Sequence, residues 1–412
     1  MLPATPAWSG GARVWGRMAH KKAAGREIAR HFPKNGSDPP VLAHCLKGPA
    51  ALFFILSAAC YLVLWPRPSG ATTMHAGTTT IDIHCHTAGI GAGGSGCFVS
   101  PALRGSWRYR VYLRAFNVSE QELRNEGDGL IMRRISERLS RSRLVDAAVV
   151  LAMDGVVGDN GRLDRSVTEV YIPNGFVARE TSGYQNLLFG ASVNPYRGDA
   201  LARLDQVVAA GAVLLKWLPS IQHIDPADTR LIPFYLRLRD LGLPLLTHTG
   251  NEESFTRARN ELGDPERLRL PLSLGVVVIA AHAASNGRNG GESNFRRFLR
   301  LCSEFPNLYA DVSAITQANR IGHLHRLLRH GELHDRLLYG TDMPLLTTGI
   351  ASPWFHAHLL SPARLVRILK NRNPWDRDVE MKRSLGLPLP VFSRATALLR
   401  MPDTHEVDHA NP

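Results

Sequence analysis

From residue 78 onward, the sequence alternates eight short apolar segments, rich in β-forming residues, with longer segments of helical periodicity. The apolar segments occupy residues 78–86, 146–154, 187–195, 212–218, 244–250, 276–282, 307–313 and 336–342. They are apolar on both faces, which is typical of parallel strands that helices cover on either side. Eight strand–helix units in one domain predict an α/β fold, a (β/α)8 TIM barrel over residues 78–402.

The segments between the strands predict helices at 130–139, 199–210, 233–241 and 295–304. An open, doubly wound sheet is the alternative arrangement of such units. It is disfavoured because no Gly-x-Gly-x-x-Gly turn follows the first strand and opens a helix. Residues 403–412 are expected to form a frayed tail.

An uncharged apolar segment at residues 49–65 precedes the barrel region. Its length is at the short limit for a membrane-spanning helix, roughly 17–25 residues. Residues 1–48 carry eight Lys or Arg and two acidic residues, and we expect them to be a disordered tail. This charge bias predicts a cytoplasmic N-terminus and a periplasmic or extracellular barrel domain. The sequence thus predicts a transmembrane or signal-anchor helix at 49–66 and a linker at 67–77.

Two other interpretations of this segment stay open. A cleaved signal peptide is the nearer one, because Ser69-Gly70-Ala71 has the small residues of a cleavage site. A buried core helix is the other. The net charge of +13 does not by itself indicate nucleic-acid binding, since much of the excess lies beside the apolar segment and the barrel region has no recognised motif. We therefore expect a membrane contact and no nucleic-acid partner.

Candidate metal ligands stand at the carboxyl ends of the predicted strands, where a barrel carries its reactive groups. The first strand ends in a His-x-His pair, whose side chains point the same way because strand residues alternate. Other strand ends carry three more candidate ligands and a lysine. The full set is His84, His86, Lys216, His248, His282 and Asp342. Imidazole and carboxylate are the ligands of a catalytic divalent metal that keeps an open position, although each histidine alone could be an ordinary core residue.

At these residues the chain resembles the amidohydrolase superfamily, and within it the amidohydrolase-related (amidohydrolase 2) family of hydrolases, lactonases and non-oxidative decarboxylases. The similar stretches are Ile81–His86, 193–195, 215–219, 242–250, 279–282, 339–344 and 391–399. The resemblance implies one or two divalent metal ions, with zinc as the expected metal. The implied metal ligands are His84, His86, His248 and Asp342.

The resemblance also implies roles for the remaining residues. His282 would bind a second metal or polarise the substrate carbonyl. Lys216 matches a position that some members use as a carbamylated bridge between two metals. The alternative for Lys216 is an ion pair with Asp82 or Asp342.

The predicted function is a metal-dependent hydrolase that cleaves an amide, ester or lactone bond of a small molecule. A metal-activated water would attack, with Asp342 as general base. A decarboxylase of the same family and a non-catalytic, metal-stabilised binding protein are the alternatives. Glu252, Arg288 and Arg104 are predicted substrate contacts, because they follow strand ends and arginine suits an anionic substrate. For Arg104 and the arginines that follow it, a solvated loop or helix face is the alternative. Homo-oligomer formation stays open.

Overall fold

The computed structural model describes residues 79–401. The predictions for residues 1–48, 49–66, 67–77 and 403–412 concern residues outside this range. Among residues 79–401, no helix combines the length and the apolar character that a membrane crossing requires.

Eight parallel strands form one sheet in which each strand pairs with the next in chain order. They are β1 Ile81–His86, β2 Ala147–Leu151, β3 Leu187–Ala191, β4 Leu214–Trp217, β5 Leu245–Thr247, β6 Val278–Ala280, β7 Leu308–Asp311 and β8 Leu337–Leu338. Each of these eight strands lies inside one of the eight predicted segments. Two small antiparallel pairs were not predicted: Phe98–Val99 with Val170–Tyr171, and Arg288–Asn289 with Glu292–Ser293. The strands are parallel because the connection from each strand to the next crosses over the sheet, usually through a helix, and returns the chain to the same end.

The sheet curls until its last strand region meets its first. The N–H of Ile83 donates to the carbonyl of Tyr339 at 3.2 Å, and the N–H of His86 donates to that of Met343 at 3.0 Å. Cys85 and Met343 also form a parallel bridge. These bonds join β1 to the segment that follows β8, which is consistent with a (β/α)8 barrel.

Side chains from all eight strands meet in one apolar cluster. Its members on the strands are Ile81, Ile83, Val149, Leu151, Leu188, Leu214, Leu246, Ile279, Tyr309 and Leu338. An open sheet could not bring its two edge strands into one cluster, so this cluster is the filled interior of the curled sheet. A second, larger cluster joins the outer faces of the strands to the helices.

Ten α-helices of six or more residues occur in the described range. They are α1 Trp107–Phe116, α2 Glu120–Glu126, α3 Gly129–Leu139, α4 Asn174–Thr181, α5 Ala200–Ala209, α6 Ile232–Asp240, α7 Asn294–Glu304, α8 His323–Leu328, α9 Pro362–Lys370 and α10 Pro374–Ser384. The four predicted helices correspond to α3, α5, α6 and α7. Shorter helices lie at Pro101–Arg104, Pro219–Gln222, Arg269–Ser273, Pro390–Ser393 and Ala395–Leu398.

The alternation of strands and helices places every β-to-α loop at the same end of the sheet. Residues that end the strands therefore face one shared mouth, even where hundreds of positions separate them in the chain.

Candidate active site

Three of the predicted metal ligands converge at the mouth of the sheet. His84 and His86 lie in β1, and their Nε2 atoms are 3.2 Å apart. Asp342 follows β8, with its Oδ1 3.5 Å from His84 Nε2 and 3.3 Å from His86 Nε2. The N–H of Asp342 donates to the His84 carbonyl at 2.9 Å, so the hydrogen bonding that closes the sheet also assembles this cluster.

Asp311, at the end of β7, holds the ring of His84. It is fully buried, and its Oδ2 accepts a hydrogen bond from His84 Nδ1 at 2.7 Å. Because a carboxylate can only accept, the proton sits on Nδ1 and His84 Nε2 turns a lone pair toward the cluster. Burial and the nearby Lys216 lower the pKa of His84 to about 4, so its ring is neutral near pH 7.

The same carboxylate organises the neighbouring strand ends. Asp311 Oδ1 accepts the N–H groups of His282 at 2.8 Å and of Ser313 at 3.0 Å. Although burial raises the pKa of Asp311, its contacts with His84 and His282 outweigh burial and hold that pKa well below its usual range. Asp311 was not among the residues predicted from the sequence. Its place at a strand end, between strands that carry His282 and Asp342, was the available signal.

His282 packs against His84 with ring centroids 5.1 Å apart and nearly parallel planes. Its Nδ1 lies 3.1 Å from the Ser313 carbonyl, which can only accept, so Nδ1 carries the proton. Burial and Arg320 keep the pKa of His282 well below its ordinary value. The ring is therefore neutral with a free lone pair on Nε2. This arrangement suits a ligand or a proton acceptor better than a donor to a substrate carbonyl.

The backbone at two of these residues lies in the left-handed region. His282 has φ of 57° and Asp342 has φ of 64°. Such a conformation costs a non-glycine residue about 1–2 kcal/mol, and it persists only where surrounding contacts enforce it. Here both strained residues turn their side chains into the mouth.

His248 follows β5 and lies beside His282, with ring centroids 5.2 Å apart. Its Nδ1 is 3.6 Å from Glu252 Oε2, and burial lowers its pKa. Its Nε2 is buried and has no hydrogen-bond partner among residues 79–401. A buried polar atom without a partner is costly, and a bound cation would satisfy it.

Lys216, in β4, is fully buried with its Nζ 3.0 Å from His84 Nε2. Burial lowers its pKa to about 8. The alternative of an ion pair with Asp82 or Asp342 is not formed. Asp82 instead accepts hydrogen bonds from Thr341 and from the Trp375 indole, since it faces the helix layer.

The donor set fits a divalent cation. Two imidazole nitrogens and one carboxylate oxygen lie within 3.5 Å of one another, and Zn²⁺ prefers such nitrogen and oxygen ligands. His84, His282 and Asp311 form a second close group. The hydrogen bond between His84 Nδ1 and Asp311 already occupies its centre, so we interpret this second group as support for the ligands.

A cavity of about 460 Å³ opens above the cluster, lined by His86, Lys216, His248, His282 and Asp342. Its further walls are mainly apolar and include Ile90, Leu103, Val111, Phe116, Met153, Phe255 and Leu345. Glu252 also lines the cavity and accepts the N–H of Ser254 at 2.7 Å.

Arg320 is a cavity residue that the sequence analysis did not name. It is buried, yet its one side-chain hydrogen bond among the described residues goes from Nε to Ser285 Oγ at 3.0 Å. It forms no ion pair within residues 79–401, and burial lowers its pKa. No motif surrounds it, so only the folded chain shows that it faces the site.

Two of the predicted substrate contacts do not reach this cavity. Arg104 forms a two-pronged ion pair with Glu120, with nitrogen–oxygen distances of 2.8 and 2.6 Å. Arg288 is exposed in a short hairpin and donates to the Gly291 carbonyl. Neither lines the cavity, because helix and hairpin geometry turn both side chains to other partners. The structure therefore does not bring Arg104 and Arg288 to the cavity, and their role as substrate contacts stays an untested prediction.

A protein-family model described as amidohydrolase matches residues 81–371. A comparison with curated proteins gave no match. Among solved structures, an uncharacterised TIM-barrel protein from Bordetella bronchiseptica is 17% identical, with 74% of this chain and 99% of that chain covered and a TM-score of 0.47. A dihydroorotase from Campylobacter jejuni is 13% identical, with coverage of 77% and 85% and a TM-score of 0.39. The 5-carboxyvanillate decarboxylase of Sphingomonas paucimobilis is 12% identical, with coverage of 76% and 99% and a TM-score of 0.39.

Proposed function

Since this chain belongs to the amidohydrolase family, we propose that it is a metal-dependent hydrolase that cleaves an amide, ester or lactone bond at the mouth of the sheet. One observation carries the proposal. His84, His86 and Asp342 bring three ligand atoms within 3.5 Å of one another, beneath a cavity that is open to a substrate.

We propose that one zinc ion is held by His84 Nε2, His86 Nε2 and Asp342, with His248, whose buried Nε2 has no hydrogen-bond partner among residues 79–401, as a further ligand. A bound divalent cation would supply Lewis acidity and would make a water molecule a better nucleophile near neutral pH. The tautomer of His84 that Asp311 enforces supports this assignment, because a protonated Nε2 could not bind a cation. Lys216 remains a candidate for carbamylation, and its lowered pKa favours the neutral amine that such a reaction needs.

Asp342 is the proposed general base. Although burial raises its pKa, the hydrogen bond with His86 and the nearby His282 and His84 rings hold that pKa well below its usual range. The carboxylate is therefore ionised and able to take a proton from an attacking water. His282 Nε2 offers a second acceptor on the same side, from which a proton can pass to the leaving group.

The walls of the cavity indicate what the substrate looks like. They are mainly apolar, so the substrate has an apolar body that leaves water when it binds. Arg320 is buried beside these walls without an acidic partner, and an unpaired buried guanidinium is costly. A carboxylate on the substrate would offset that cost by a charge-assisted, two-pronged hydrogen bond.

Arg320 also gives a reason to keep a non-oxidative decarboxylase as the second candidate. In that reaction the substrate must carry a carboxylate, and Arg320 would orient it. Carbon dioxide release from an apolar or aromatic acid, without hydrolysis of its ester or amide, would select this candidate.

The experiment is metal analysis of the purified full-length protein, followed by a panel of esters, lactones, amides and acids. We expect about one zinc per chain, and loss of turnover on chelation with recovery when Zn²⁺ is returned. His84→Ala and Asp342→Asn should lose both metal and turnover. Their matched controls are His325→Ala and Asp335→Asn, which change exposed residues on the outer surface. Full turnover in the two site variants would refute the proposal.

A further inference from the structure

A second cavity, an open cleft of about 930 Å³, collects six arginines and one lysine. Arg138 comes from the last turn of α3, and Arg141 and Arg143 from the loop that follows it. Arg367 and Lys370 come from the last turn of α9, while Arg372 and Arg377 flank the start of α10. We call this cavity the basic cleft.

Most of these cations have no acidic partner. Within the part of the chain that the structure describes, Arg367 alone among the seven forms an ion pair, with Glu380 at 3.3 Å. Elsewhere on the helices arginine is paired repeatedly, as in Arg237 with Asp205. Unscreened like charges repel one another, so a cluster without acids opposes folding unless an anion joins it.

The one acidic residue that lines the basic cleft does not neutralise it. Asp376 accepts the backbone N–H groups of Arg143 at 3.0 Å and of Leu144 at 3.1 Å, together with the Ser142 hydroxyl. Its charge is thus committed to the loop after α3. At the start of α10, the Asn373 side chain likewise accepts the N–H groups of Trp375 and Asp376, so the cationic side chains are the charged donors that face a ligand.

The floor of the cleft is held in place by bonds between distant parts of the chain. Asn373 Nδ2 donates to the Arg138 carbonyl at 2.9 Å, and Asp376 ties the same region to α10. Arg138 and Arg377 are half-buried, and burial lowers the pKa of each. Partial loss of water from an unpaired guanidinium is unfavourable, and an anion would reverse this effect. The cleft is therefore preorganised for an anion.

We propose that the basic cleft binds a small anion that carries two or more phosphate groups. Several cations around one space call for several negative charges, and the guanidinium fork matches phosphate oxygens. The volume is within the range of small-molecule sites, roughly 300–1,000 Å³, whereas a duplex needs an extended basic stripe.

The basic cleft is separate from the active cavity, although the two are neighbours. They share no lining residue, but Thr347 lines the cleft and Thr348 lines the active cavity. The loop after Asp342 therefore lies between them. The cleft is a site for a second ligand, and its assignment does not depend on the reaction proposed above.

The test is isothermal titration of the full-length protein with inorganic triphosphate at low and at high salt. The cleft variant is Arg141→Gln with Arg372→Gln, both exposed residues whose replacement leaves the core untouched. The control is Arg326→Gln with Arg329→Gln, which removes the same charge from exposed positions outside the cleft. Thermal melts of all three proteins check that they fold alike.

We expect triphosphate to bind the parent protein at low salt and to bind less tightly as salt rises. Loss of two charge-assisted contacts should weaken binding at least about tenfold in the cleft variant. The control should stay within about twofold of the parent. Absent binding at low salt, or equal weakening in both variants, would overturn the proposal.

Two further titrations test whether the anion belongs to a membrane or to a nucleic acid. Phosphatidylglycerol vesicles and double-stranded DNA are titrated with the same three proteins. If either of them binds through the cleft arginines and triphosphate does not displace it, the cleft is a membrane or nucleic-acid surface. The small-anion assignment is then wrong.

Discussion

Replacement of Asp311 by asparagine tests how the site is assembled. The amide keeps the size of the side chain and can still accept the backbone N–H groups of His282 and Ser313 through its oxygen. Its NH₂ group then faces His84 Nδ1, where the carboxylate oxygen now lies at 2.7 Å. That NH₂ group can only donate, so Nδ1 must lose its proton and Nε2 must gain it.

The magnitude follows from the contact that is lost. A hydrogen bond to a charged group contributes roughly 1.5–3 kcal/mol, which corresponds to about a 10- to 150-fold change in an equilibrium constant. A protonated Nε2 on His84 also opposes metal binding directly. We therefore expect Asp311→Asn to weaken zinc binding by about 10- to 100-fold, with a parallel loss of turnover.

The assay is zinc titration against a competing chelator, together with nitrogen-15 NMR of the histidine rings to read the tautomer of His84. Asp376→Asn is the matched control, because it alters another buried aspartate that accepts backbone N–H groups but contacts none of the proposed zinc ligands. The control should lose some stability and keep its zinc affinity. Zinc affinity within about threefold of the parent in a folded Asp311→Asn protein would refute the reasoning.

Three further predictions concern other parts of the chain. Arg104→Ala should leave turnover unchanged and lower stability by under about 1 kcal/mol, because Arg104 and Glu120 are 37% and 29% exposed and solvent screens their charges. The hydrogen bond from Arg104 lowers the pKa of Glu120 to about 2. The contribution of this pair to stability is therefore present above about pH 4.5 and is lost as pH falls through about 2. Unfolding curves of the parent and the variant at pH 2 and pH 6 measure this contribution. Arg320→Met should raise KM for acidic substrates at least about tenfold and leave neutral analogues within about twofold, whereas equal losses for both would show a merely structural role. Deletion of residues 1–66 should release the protein from membranes on fractionation, and the N-terminal sequence of the mature protein separates an anchor from a cleaved signal.

The positions of the eight strands and their order in the sheet could be predicted from the sequence. Each of the eight segments predicted as a strand contains one observed strand, because apolar runs that are covered on both faces leave few other arrangements. The strand ends were also informative. His84, His86 and Asp342 were predicted as one cluster, because a barrel directs the carboxyl ends of all its strands to one mouth.

The sequence could not separate ligands from the residues that position them. Asp311 and Lys216 both end or occupy strands, and only their distances to His84 show that one fixes its tautomer and the other approaches its free nitrogen. Arg104 and Arg320 make the same point for substrate contacts. Each is an arginine that follows a strand in the chain, yet Arg104 pairs with Glu120 on a neighbouring helix and Arg320 is buried in the cavity.

Apolar periodicity and strand-end position are local properties of the chain, so they sufficed to predict eight parallel strands in chain order and the meeting of His84, His86 and Asp342 at one mouth. Three features came only from the tertiary structure: the His84 nitrogen that carries the proton, the absence of an ion-pair partner for Arg320 within residues 79–401, and the gathering of seven cationic side chains in the basic cleft. Those features depend on distances between residues that are far apart in the chain, and such distances exist only after the sheet has closed.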